Sequence, residues 1–109
     1  MAQSIYTIKK RSTFVFVRDN GKYFRAKSFN IQILNDKTLN GEIAVGYIAT
    51  KRIGNAVMRN RAKRRMRELT RKIITKYGKI NSYYVLIAKN LILITPFKEL
   101  ELELENIIT

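Results

Sequence analysis

Residues 51–79 carry twelve basic side chains and a single acid, Glu68, and one apolar stripe runs through the middle of them. Met58, Ala62, Met66, Leu69 and Ile73 follow at steps of four, four, three and four, the spacing that aligns side chains on one face of an α-helix. A helix over residues 55–77 is therefore expected, docked by that stripe against a core. Asn55 is placed to cap it by accepting from a free first-turn amide, and Gly78 to close it in the left-handed conformation. At helical spacing the stripe is a packing surface, not a cofactor contact.

The residues flanking the stripe constrain function. Arg59, Lys63, Arg67 and Arg71 recur at every fourth position, each step rising about 6 Å along the axis. Arg61, Arg65 and Lys72 lie on the opposite flank. Like charges four residues apart destabilise an isolated helix by about 0.2–0.5 kcal/mol per pair. A ladder of them with one neighbouring acid implies a compensating polyanion. Phosphates supply it, because the planar fork of Arg can engage two phosphate oxygens and Lys acts as a point charge. The helix start at Gly54-Asn55 adds free amides and the positive end of the helix dipole.

The whole chain points the same way, with 22 Lys+Arg against 8 Asp+Glu and a formal charge of +14. Such an excess repels itself and favours a nucleic acid, or second an anionic membrane surface, as partner. The membrane reading is disfavoured because the basic helix spends its apolar stripe on the core. At 109 residues, 46% of them hydrophobic, residues 1–109 suit one RNA-binding domain. The absence of Cys fits a reducing cytosol. Met1-Ala2-Gln3-Ser4 lacks the apolar stretch of a signal peptide. The longest apolar run, residues 83–88, is far short of the roughly 18 residues of a membrane span. A cytoplasmic location is expected.

Elsewhere the pattern is that of a sheet. Residues 28–34 alternate, with Phe29, Ile31 and Ile33 on one face and Asn30 and Gln32 expected to point outward. Residues 36–42 contain turn chemistry, including Asn40-Gly41, and residues 43–50 read as a second strand. Residues 83–89 are apolar on both faces and read as a central strand. In residues 94–108, Leu-Glu alternation competes with a helical stripe of Phe97, Leu100, Leu104 and Ile107. Thr95-Pro96 serves as N-cap and first helical residue, which favours helix. Residues 13–17 read locally as a strand entering a turn at Asp19-Asn20-Gly21. Gly46 and Gly54 are isolated, as packing or capping glycines are.

Catalysis by the chain itself is not expected. It has no His and no Cys, and four of its eight acids crowd one terminal segment. A binding module of ribosomal or RNA-chaperone type is the alternative that composition leaves open.

The run Lys51-Arg52-Ile53-Gly54-Asn55-Ala56-Val57-Met58-Arg59-Asn60-Arg61-Ala62-Lys63-Arg64-Arg65-Met66-Arg67-Glu68 resembles the signature of the bacterial ribonuclease P protein component, centred on Arg59-Asn60-Arg61 and Lys63-Arg64. Phe14, Val17, Gly21 and Phe29 resemble the family's N-terminal helix and first long strand, residues 84–89 its final strand, and the amphipathic C-terminus its last helix. The resemblance covers about residues 8–108. It implies an α/β fold, a two-layer α+β sandwich in which about four strands pack against the central basic helix, with N- and C-terminal helices and a left-handed βαβ crossover. It also makes residues 13–17 helical.

The function implied is that of a subunit that assists a catalytic RNA in removing the 5′ leader of precursor tRNA. Mg²⁺ is required by the RNA; no metal site, catalytic residue or small-molecule cofactor is expected on the protein. By the same resemblance, Lys51, Arg52, Asn55, Arg59, Asn60, Arg61, Lys63, Arg64, Arg65 and Arg67 contact the ribonuclease P RNA. Phe14, Arg18, Asn30, Gln32, Arg59, Asn60, Lys63 and Arg67 contact the leader, in a cleft between the Arg-Asn-Arg helix and the sheet. Arg18 and Gln32 stand at positions where the family often carries aromatics, which implies more polar and electrostatic leader contacts here.

Overall fold

The structure, a computed structural model, describes residues 4–109; Met1, Ala2 and Gln3, part of the N-terminal stretch read above, lie outside the described residues. In chain order come β1 (Ile5–Thr7), α1 (Arg11–Asn20), β2 (Lys22–Arg25), β3 (Phe29–Asn35), a 3₁₀ turn (Lys37–Leu39) and β4 (Ile43–Ile48). The basic helix α2 (Ala56–Leu69) follows, continued by a π-helical turn (Thr70–Ile74) and a last α-helical turn, α3 (Thr75–Tyr77). Then come β5 (Ser82–Ala88), a second 3₁₀ turn (Asn90–Leu93) and α4 (Phe97–Ile108).

The strands form one mixed sheet of five, in the order β1-β4-β5-β3-β2. The expectation of about four is thus one short. β1 has three residues and β2 is exposed throughout, so neither shows the alternation by which a half-buried strand is recognised. β4, α2 and β5 form a βαβ unit between adjacent parallel strands, and β5 is central as expected.

Alternation assigns the two faces. Phe29, Ile31, Ile43, Val45, Tyr84 and Leu86 point to one side, where they pack with Ala62, Met66 and Leu69 of α2 and Leu100 and Leu104 of α4. Burying each large side chain there contributes roughly 1.5–3 kcal/mol. Ala44, Tyr83 and Val85 point to the other side, where they pack with Ile8, Leu39 and Val17 of α1. Residues 13–17 are helical despite their β-branched and aromatic composition. Val17 is fully buried under α1, and packing of this kind outweighs propensity differences of about 0.7 kcal/mol or less per residue.

α2 begins as its sequence implies, with Asn55 Oδ1 accepting from the Met58 amide at 3.0 Å. The stripe differs at both ends. Met58 is 45% exposed, so burial starts at Ala62. Beyond Leu69 the wider π-helical turn brings Thr70, Ile73 and Ile74 inward together, and Tyr47 of β4 donates to Thr70 Oγ1 at 2.8 Å. Gly78 is extended (φ −64°, ψ 147°) rather than left-handed. A Cβ there would lie 2.5 Å from the Ile74 carbonyl oxygen, so glycine is required by close approach instead. At α4, Pro96 is the cap and Phe97 the first helical residue, one position later than expected. Thr95 is instead buried, sharing a 2.9 Å hydrogen bond with Ser28. Glu103 of α4 accepts from the Ser28 amide at 2.7 Å and its hydroxyl at 2.8 Å, fastening the helix to the start of β3.

Candidate nucleic-acid interface

The space between α2 and the sheet is filled by core side chains. The open cleft is on the other face, beside α1, which corrects the expected placement between the Arg-Asn-Arg helix and the sheet. α1 crosses the strands with Val17 beneath it, Phe16 edge-to-face with Tyr83 at 6.1 Å, and Phe14 over Gly46 of β4. A Cβ on Gly46 would come within 2.5 Å of the Phe14 ring, so this glycine is the seat that lets the ring lie against the strand.

Phe14, Arg18, Gln32 and Ile48 line a groove of about 380 Å³, with Lys9 and Arg11 at its rim. Ile48 pairs with Ile87 of β5, and Ile87 with Asn30 of β3. Ile87 and Asn30 in turn line a second hollow of about 840 Å³, bounded by Lys51, Arg52 and Lys89. An apolar and amide floor therefore runs from α1 to the loop that enters α2, with cations at both ends and no carboxylate lining either stretch. Such a lining, basic with apolar and amide groups between the cations, has the character of single-strand binding surfaces.

Beyond Lys51 and Arg52 the chain enters α2. Arg67 and Arg71 lie on the flank near Tyr47, and Arg65 on the flank facing α4. Among the described residues the ion pairs are Arg18–Asp19 at 3.1 Å and Arg71–Glu68 at 2.6 Å, both on the surface. Exposed pairs of this kind are worth about 0–1 kcal/mol. Arg59, Arg61, Lys63, Arg64 and Arg67 have no carboxylate partner among the described residues. Their mutual repulsion is offset by no ion pair among the described residues, which favours an anionic partner.

A family model described as Ribonuclease P matches residues 3–109. The chain belongs to the ribonuclease P protein family. It is 32% identical over 102 residues to the ribonuclease P protein component of Symbiobacterium thermophilum, covering 94% of this chain and 87% of that one. To the Caulobacter vibrioides (strain NA1000 / CB15N) protein of the same description it is 36% identical over 94 residues, which are 82% of this chain and 62% of the relative's length. The Staphylococcus aureus RNase P protein superposes with a TM-score of 0.77 at 26% identity, over 93% of this chain and 90% of that one. The RNase P protein from Thermotoga maritima shares the fold, with a TM-score of 0.79 at 20% identity and 94% coverage of each chain.

Within this ribonuclease P protein fold the anticipated residues separate into three groups. Phe14, Arg18 and Gln32 meet in the groove, with Asn30 at the adjoining hollow beside Lys51 and Arg52. Asn60, Arg61, Arg64 and Arg67 are exposed along α2, and Arg59 and Lys63 are half-buried there. Arg59 donates to the Gly54 carbonyl at 3.0 Å, bracing the loop that carries Lys51 and Arg52. The remaining residues hold the fold. Asn55 spends its side-chain oxygen on the helix cap.

Arg65, expected among the RNA contacts, turns inward: its guanidinium donates to the Thr95 carbonyl and lies 6.0 Å from the centre of the Phe97 ring. Burial, and secondly the charge of Arg61, lower its pKa from the usual arginine value. Gln32 is 7% exposed and so forms the groove's floor, not the outward-facing contact its alternation suggested. Alternation identifies the face but not what covers it, and here α1 does.

Sequence reasoning did not single out Tyr23, on the strand next to the groove's floor. Tyr23 of β2 lies opposite Gln32, and Arg25 opposite Asn30. Asn30 Nδ2 donates to the Tyr23 hydroxyl at 2.6 Å, and the Arg25 guanidinium sits 5.8 Å from the Tyr23 ring centre. The aromatic-basic pairing in Tyr23-Phe24-Arg25 was the available signal.

Proposed function

We propose that this chain is the protein subunit of ribonuclease P, binding the catalytic RNA and the 5′ leader of precursor tRNA while the RNA performs endonucleolytic leader removal. The observation that carries the reading is the run of cationic side chains from the groove beside α1 through Lys51 and Arg52 to Arg59, Lys63 and Arg67 of α2, which make no ion pair among the described residues. One polyanion can be held along the ladder and a single strand in the groove. Placing positive charge between two RNAs weakens their repulsion, and holding the leader raises the local concentration of the scissile bond at the RNA. Residues 4–109 act as one RNA-binding domain, since both hydrophobic clusters are built on the same sheet.

Mg²⁺ is assigned to the RNA. Of the acids, Asp36 accepts from Thr38, Glu42 from Ser4 and Glu103 from Ser28. In this reading what the chain contributes is binding. The cytoplasm, where precursor tRNA is made in bacteria, is the proposed location.

The test is cleavage of precursor tRNA by a bacterial ribonuclease P RNA at limiting Mg²⁺, with and without the protein. Strong stimulation is expected. It should fall steeply with salt, because binding affinity loses about 0.7–0.9 logarithmic units per decade of salt for each phosphate neutralised. Absence of stimulation by a folded protein would overturn the reading.

A further inference from the structure

The groove is short of aromatic surface for a channel that takes a single strand. Of its lining residues only Phe14 carries a ring, and Arg18 and Gln32 add polar groups. Single-strand channels gain much of their affinity from base stacking on aromatic faces. The β2 edge supplies a further ring at the right place. Tyr23 pairs in register with Gln32 of the floor, and directly opposed residues of an antiparallel pair have Cβ atoms about 4.5–5.5 Å apart on the same face.

The Tyr23 ring is held, unlike a free surface tyrosine. Its hydroxyl takes the 2.6 Å hydrogen bond from Asn30, itself a lining residue of the adjoining hollow. Arg25, opposite Asn30, lies 5.8 Å from the ring centre. Such contact draws the guanidinium to the ring and enriches the ring's surroundings in positive charge. Even so, Tyr23 remains 49% exposed. A ring held at its hydroxyl by Asn30, with the Arg25 cation over it, and still open to solvent is preorganised for a flat partner attached to a phosphate.

We propose that Tyr23 is a nucleobase-stacking residue of the groove: it receives an unpaired base of the precursor tRNA leader on its exposed face, with Asn30 setting the ring's orientation and Arg25 meeting the adjoining phosphate. This rests on the leader-binding reading above and extends the groove across β3 to the sheet's outer edge. Tyr23 would act on substrate affinity without contacting the RNA subunit, since β2 is an edge strand separated by β3 and β5 from β4, the strand leading into α2.

The experiment uses holoenzyme reconstituted from the full chain and a bacterial ribonuclease P RNA. The probes are a series of precursor tRNAs with 2-aminopurine at successive leader positions and a leaderless tRNA. With the unaltered protein, one leader position should be quenched by stacking, and leader-bearing substrate should bind more tightly than leaderless tRNA. Tyr23→Ala should relieve that quenching and weaken leader-bearing substrate by roughly tenfold, the lower part of the range for a lost base-aromatic stack. It should leave leaderless tRNA and RNA-subunit affinity unchanged. Tyr23→Phe, which keeps the ring and loses the bond to Asn30, should retain most of both signals. Tyr23→Ala indistinguishable from the unaltered protein would overturn the assignment to Tyr23 alone. Equal binding of leader-bearing and leaderless tRNA by the unaltered holoenzyme would instead overturn the leader-binding reading beneath it.

Discussion

The two faces of the sheet are made from alternate residues of the same strands, yet they do different work. On the α2–α4 face Phe29, Ile31, Val45 and Leu86 are fully buried beneath two helices. On the α1 face a single ten-residue helix covers the strands, and Ile48, Ile87 and Asn30 remain half-buried beside it. One face is closed because its cover is two helices wide; the other stays open because its cover is one. The difference teaches that on the α1 face the residues beneath the helix, Ala44, Tyr83 and Val85, serve the fold, while the uncovered stretch at Asn30, Ile48 and Ile87 is left open. Substitutions at those three should therefore act less on folding than those on the α2–α4 face.

The largest expected effect tests the closed face. Leu86→Ala removes a fully buried side chain and should cost about 2–5 kcal/mol of unfolding free energy, read from a denaturant titration. Its counterpart across the sheet, Phe14→Ala, takes away a half-buried ring and should cost roughly 1–2 kcal/mol, below the 3–5 of a fully buried Phe. That variant should lose affinity for leader-bearing substrate. Equal destabilisation by the two would remove the distinction between the faces.

Next comes the seat of the Phe14 ring. Gly46→Ala places a methyl group where the ring now lies, and overpacking of this sort costs about 1–3 kcal/mol. Because Phe14 is not enclosed, part of the strain can be relieved by swinging the ring into the groove. Leader-bearing substrate should then bind less tightly than the stability loss accounts for, while RNA-subunit affinity holds. A pure stability defect with unchanged leader affinity would show that the ring position does not shape the groove.

The two faces also differ in how far the sequence revealed them. The closed face was legible because α2 is long and strongly periodic, and because Phe29, Ile31 and Ile33 alternate with polar residues. Its cap at Asn55 follows from local chemistry alone. The open face was not legible in the same way. α1 has strand-like composition and becomes a helix through burial of Val17 against the sheet, a tertiary effect that no local pattern records. β2 is exposed at every residue, so Tyr23 and Arg25 gave no period to read. Gln32 looked like a solvent-facing residue because alternation is silent about the helix laid across it.

Arg64 and Arg65 offer the finest test, since they are neighbours on one helix with opposite surroundings. Arg64 is exposed and makes no ion pair among the described residues. Arg65 donates to the Thr95 carbonyl and lies against Phe97, joining α2 to the start of α4. Arg65→Ala should therefore lower stability by about 1.5 kcal/mol, the low end for a hydrogen bond from a charged group. Arg64→Ala should fall within about 0.5 kcal/mol of the parent, as surface substitutions usually do. Binding to the RNA should show the reverse order: Arg64→Ala reduces the salt dependence by close to one phosphate contact, and Arg65→Ala leaves the slope in place. If Arg65→Ala changed the slope and left thermal unfolding untouched, Arg65 would belong to the RNA surface, and α4 would have to be held by Glu103 and its apolar stripe without it.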